Sequence, residues 1–213
     1  MAKGKGAGTI LVAGALALAM ASAGEETGGP GPGTGSGQVV ANTFAARVAA
    51  SQAAAARGDI AGAAQRLGMT AGPRGQRHNV NCAAFATGEV RDHLLTHPCR
   101  GMDRLLFTIR DSRGGTIAIA VAWLDFATPG QARAFRELDD APGTGQINPL
   151  PGATAGIPNV HLTGRHHRSR QAGATAVTAD AEPVKSGAQT DGLLDEIAGI
   201  GVLLPHIYAQ TSK

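Results

Sequence analysis

The stretch 116–126, TIAIAVAWLDF, constrains this chain more than any other. In an extended backbone, alternate side chains point to opposite faces. Here Ile117, Ile119, Val121 and Trp123 fall on one face, and Ala118, Ala120, Ala122 and Leu124 on the other. Both faces are apolar, which marks a central strand covered on both sides, with alanines where a helix comes close. The preceding run 105–111, LLFTIRD, also alternates, and Ser112-Arg113-Gly114-Gly115 between them is turn chemistry. The two runs predict a hairpin.

The flanking elements follow from caps and periodicity. Asn42 is a candidate N-cap for an alanine-rich helix over 43–57, and Asp59 caps a second helix over 60–67. Arg57-Gly58-Asp59 spells an adhesive tripeptide, but here it reads as a helix break and cap. Residues 70–79 (TAGPRGQRHN) read as a polar loop. A helix within 82–97 carries the stripe Val90, Leu94, Leu95 and stops at Pro98. Thr128-Pro129 opens a helix that buries Ala134, Phe135 and Leu138. Two further strands are predicted over 159–163 and 174–182, joined by a basic turn, and a last helix runs from about Asp191 to Ile200. The fold class is α+β: N-terminal helices, then a β-β-α-β-β-α unit whose four-stranded, mostly antiparallel sheet has helices on one face.

The N-terminus sets the expected compartment. Lys3 and Lys5 precede an apolar run of about 15 residues ending in Ala21-Ser22-Ala23, the pattern of a secretory signal over 1–23. A retained membrane anchor is the other reading, although a spanning helix needs about 20 apolar residues. Residues 24–38 (GEETGGPGPGTGSGQ) read as a flexible linker, and 39–213 as one extracytoplasmic domain. Without Lys3 and Lys5, 17 basic side chains face 16 acidic ones, a net charge near +1. That gives no reason to expect a nucleic-acid partner, because such domains carry a clustered basic excess. Aromatic residues make up 3% of the chain, so no ring-lined platform for sugars or bases is available.

Cys82 and Cys99 are the only cysteines, and in an oxidising compartment one pair predicts one disulfide. A helix rising about 1.5 Å per residue would hold them about 25 Å apart, whereas a disulfide needs Cα atoms within about 7 Å. The segment therefore cannot be one unbroken helix. The expectation is an extended approach at Cys82 and a helix starting near Thr87.

Few side chains group as chemistry demands. His93 and His97 are spaced i, i+4, as metal-binding histidines on one helix face are, and with His166 and His167 they form the candidate metal set. The glutamate of an H-E-x-x-H site is missing, since Leu94 follows His93. Arg165, Arg168 and Arg170 crowd the predicted basic turn and are candidate contacts for an anionic partner such as lipid or cell-wall polymer. Asp125, Glu137 and Asp139 offer paired carboxylates, but read better as solvated. Gly143-Thr144-Gly145 lacks the Lys-Ser/Thr of a phosphate loop, and there is no G-x-S-x-G nucleophile elbow. No cofactor is expected.

Three short motifs, His97-Pro98-Cys99, Val121-Ala122-Trp123 and Pro142-Gly143-Thr144-Gly145, carry a resemblance. Through them, residues 82–184 resemble a group of secreted or membrane-anchored actinobacterial proteins of unknown function. The resemblance implies an extracytoplasmic domain and transfers no catalytic residue. The expected function is a non-enzymatic, envelope-associated binding or interaction module, tethered or released. The alternative is a secreted hydrolase, metal-dependent or otherwise.

Overall fold

The hairpin forms as its alternation requires. In a computed structural model, which describes residues 35–158, 160–187 and 189–206, β2 (Gly101–Arg110) pairs antiparallel with β3 (Thr116–Asp125) in unbroken register. The signal or anchor over 1–23 and most of the linker lie outside the described residues. None of the described helices is long and apolar enough to cross a membrane.

Among the described residues the sheet has five strands, not four. Their order is β1-β2-β3-β5-β4, with β1 at Thr70–Asn79, β4 at His167–Ala172 and β5 at Thr175–Lys185, and every pairing is antiparallel. The two edge strands escape the hydrophobic pattern because they are polar. β1 carries Pro73, and its register shifts between Ala71 and Arg74, the place where a sheet edge tolerates a residue without an N–H. β4 is the segment read as a basic turn. The strand predicted over 159–163 does not form: residues 160–163 are irregular, and Asn159 lies outside the described residues.

The helices cover both faces of the sheet, which corrects the expectation of one. On the face of Ile117, Ile119, Val121 and Trp123 lie α1 (Gly35–Ala55), α2 (Ile60–Arg66) and α5 (Asp191–Gly201). On the face of Ala122 and Leu124 lie α3 (Gly88–Thr96) and α4 (Pro129–Asp139). Leu150, Ala155 and Leu162, from the loops after α4, cover Ala118 and Ala120. A close helix approach lies on the other face. A Cβ on Gly201 of α5 would stand 2.9 Å from the Cβ of Ala179, so glycine is what lets this helix end seat on β5.

Several caps match the sequence reading. Asp59 accepts a hydrogen bond from the Gly62 N–H at 2.8 Å, and Thr128 one from the Gln131 N–H at 3.2 Å. Asn42 is not a cap, because α1 already begins at Gly35. Phe44 is exposed, and α1 buries Val48, Ser51, Ala54 and Ala55 instead. The Ser51 hydroxyl donates to the Ala63 carbonyl at 2.8 Å, joining α1 to α2. In α4 the buried positions are Ala132, Phe135 and Asp139, with Ala134 outside.

The disulfide Cys82–Cys99 is present, with Cα atoms 6.3 Å apart. The chain covers this distance by folding back, as the helical rise demanded. Cys82 itself is helical rather than extended, and leads into a 3-10 turn over Ala83–Phe85 before Thr87 starts α3.

Candidate functional site

Between the C-terminal end of α4, the loop 141–149 and the segment 160–165 lies a cleft of about 600 Å³, a size that suits a small-molecule ligand. Each wall has a local cause. Gly145 sits at φ 109°, and a Cβ there would stand 2.0 Å from the Thr87 carbonyl oxygen, so glycine lets the loop meet the start of α3. The Val90 N–H donates to the Thr144 carbonyl at 3.0 Å, and the Thr87 N–H to that of Gln146 at 3.0 Å. Opposite, Thr163 donates through its N–H and hydroxyl to Glu182 Oε2 at 3.2 and 2.8 Å, and Gln146 Nε2 donates to the Leu162 carbonyl at 3.3 Å.

His167, the first residue of β4, lies at the base of the cleft among three carboxylates. Its Nδ1 is 3.2 Å from Asp180 Oδ1 of β5, and its Nε2 is 3.3 Å from Asp139 Oδ2 and 3.5 Å from Asp140 Oδ1. The Asp139 side chain is 2% exposed and that of Asp140 38%. Burial pushes the Asp139 carboxyl up to about 7, aided by Asp180 and Asp140 and opposed by His167. Burial works against a charge on His167. The hydrogen bond and charge of Asp180, with the charges of Asp139 and Asp140, outweigh it and raise the imidazole to about 9.

The interface behind the cleft is poorly satisfied. Among the described residues, six buried side-chain polar atoms have no hydrogen-bond partner. Five of them lie on α4 and β4: Gln131 Oε1, Arg136 Nε, Asp139 Oδ2, His167 Nε2 and Ser169 Oγ. Native interiors leave few such groups; two of these, Asp139 Oδ2 and His167 Nε2, stand 3.3 Å apart as an ion pair.

The predicted metal set is not assembled. His93 and His97 do share a face of α3, their rings stacked with centroids 4.7 Å apart. Burial, then the charge of His97, lowers the pKa of His93. His166 and His167, as neighbours at the start of a strand, point to opposite sides of the sheet: His166 Nδ1 meets Asp195 of α5 at 2.9 Å, and His167 enters the cleft. Among the described residues, no group of three or more His, Cys, Asp or Glu side chains is arranged to hold a metal ion.

The three arginines are engaged within the fold. Arg165 reaches Asp191 at 2.8 Å, Arg168 reaches Asp195 at 3.4 Å, and Arg170 Nε donates to the Val202 carbonyl at the end of α5. The hydrogen bond from His166, and then the charge of Arg168, hold the Asp195 carboxyl below its usual range. The basic run is a docking strip for α5, with its positive charges on acids and on the negative end of the helix.

The carboxylates read as solvated divide. Glu137 is exposed, Asp139 is buried, and Asp125 accepts a hydrogen bond from the Thr175 hydroxyl at 2.5 Å, away from the cleft. Asp140 and Asp180 were not foreseen. A signal for Asp139 exists: it continues the Ala132–Phe135 stripe at i+7 and i+4. A second polar cluster was also missed. Asp103, 3% exposed, takes His78 Nδ1 at 2.7 Å on one oxygen and His206 Nε2 on the other, while His206 stacks on Trp123. It fastens the residues after α5 to the sheet.

No protein-family model, curated protein or solved structure matches this chain.

Proposed function

We propose that this chain is an extracytoplasmic, envelope-associated binding module whose site is the cleft between α4 and residues 160–165. The carrying observation is the coincidence of this cleft with Asp139, Asp140, Asp180 and His167, two of which, Asp139 and His167, carry buried polar atoms without a hydrogen bond. The Cys82–Cys99 bond is in keeping with an oxidising compartment, and so is the resemblance carried by residues 82–184.

The hydrolase reading has one observation in its favour: a carboxyl near 7 beside an imidazole near 9 is the kind of pair that acid–base enzymes use. A general acid or base must come within about 3 Å of the substrate atom it serves. Asp139 Oδ2 and His167 Nε2 face each other and are sealed from solvent. This supports a role in setting the charge of a binding site over a role in catalysis.

The test has two readouts on protein made in an export-competent host. Intact mass should give a chain starting at Gly24 with both thiols oxidised. Backbone NMR should show members of a charge-balanced fragment library perturbing the amides of Thr87, Gly143 and Thr163. A cytosolic product starting at Met1 with free thiols overturns the location; a library with no fragment at those amides overturns the binding site.

A further inference from the structure

We infer that the cleft takes a ligand bearing a single organic cation, an amine or guanidinium, seated against Asp140 and Asp180. The inference rests on the cleft being a binding site and concerns what it binds. The charged groups converging there come from four elements. α4 supplies Asp139, Asp140 and Arg136, the last 3.5 Å from Asp140 Oδ2. β5 supplies Asp180 and β4 supplies His167. The loop supplies Arg165, already neutralised by Asp191 of α5, and His161 on the rim. Glu182 is occupied by Thr163.

Three carboxylates thus face two cations, His167 and Arg136, leaving one negative charge unmatched. Asp180 Oδ2 has no hydrogen-bond or ion-pair partner among the described residues, and Asp140 is the most exposed of the three acids. These two offer oxygen acceptors where a ligand can reach them. An anion would meet uncompensated carboxylate, and a neutral ligand would leave the surplus in place. The buried Asp139 Oδ2, which has no hydrogen bond and faces His167 Nε2 at 3.3 Å, sets the terms. Without a ligand, burial favours a proton on Asp139, which renders the cluster neutral. A bound cation removes the need for that proton. Binding is therefore coupled to proton release and tightens as pH rises through about 7.

The experiment uses an isosteric probe series on the oxidised protein: butylammonium, propylguanidinium, butanol and butyrate, followed by the amide shifts of Thr87, Gly143 and Thr163. The expected result is that the two cations bind and the other two do not, with cation affinity rising about tenfold from pH 6 to pH 8. Asp139→Asn should flatten that dependence, and Asp180→Asn should weaken binding at every pH. Butanol or butyrate binding as tightly as the cations, or library fragments reaching these amides with no preference for positive charge, overturns this inference and leaves the binding site standing. Cation binding independent of pH overturns the proton exchange. A cleft that takes no probe and no fragment overturns both the inference and the reading beneath it.

Discussion

Raising the pH from 7 to 9 should destabilise this fold at His167. In the native state its proton is held up to about pH 9 by Asp180, Asp139 and Asp140, while in the unfolded chain an imidazole lets go near pH 6.5. Over that window the native state binds more protons, so stability falls as pH rises. The contribution is fully present below the unfolded value and lost as pH passes through the native one. A shift from 6.5 to about 9 corresponds to about 3 kcal/mol in total, of which about 2 kcal/mol disappears between pH 7 and 9. Asp139 acts in the same direction at lower pH. Its raised carboxyl is half ionised at pH 7, so most of its share is lost below the chosen window and only about 0.4 kcal/mol is lost within it. Trp123, the single tryptophan, is 1% exposed and reports global unfolding by fluorescence. Urea titrations at pH 7, 8 and 9 should show the loss in the wild type and a smaller one in His167→Gln/Asp139→Asn, which lacks both titrating groups. In His167→Gln alone, Asp139 loses the imidazolium that holds it down and titrates within the window. Wild-type stability that is level or rising over this range, or an equal decline in the double variant, would refute the reasoning.

Two further outcomes test the scaffold. Replacing Cys82 and Cys99 by alanine should cost about 3 kcal/mol through the freed unfolded-state loop, read as a lower urea midpoint; an unchanged midpoint would show that the bridge constrains nothing. Gly201→Ala should destabilise by about 1–3 kcal/mol, because its new methyl would press on Ala179 where α5 seats on the sheet, and a thermal midpoint equal to wild type would refute that close approach.

The parts of the fold that were legible in the sequence are those governed by one local rule. The apolar alternation around Trp123 carried the hairpin, and Thr128-Pro129 and Asp59 carried their helix starts. Edge strands follow another logic. β1 holds glycine, proline and arginine because only one of its sides is paired, and β4 is charged because its partners are the acids of α5 and of the cleft. Nothing within either segment announces a strand. The site was hidden for a related reason. Asp139, Asp140, Asp180 and His167 come from three elements joined only by the β5-β4 pairing and the packing of α4, and an aspartate at a helix end is as readily solvated as buried. Local sequence supplied the histidine and, through helical spacing, the burial of Asp139, but not their meeting.

Strand β4 speaks to both sides of the sheet at once: Arg168 and Arg170 lean on α5, and His167 enters the cleft. A strand slipped by a single position exchanges its two sets of side chains. Such a slip would send guanidinium groups into the carboxylate nest and withdraw the imidazole toward α5, spoiling both contacts together. The terminal helix and the cleft thereby guarantee one another's alignment. Inserting or deleting one residue between Gly164 and His167 should prove far more damaging than any substitution there.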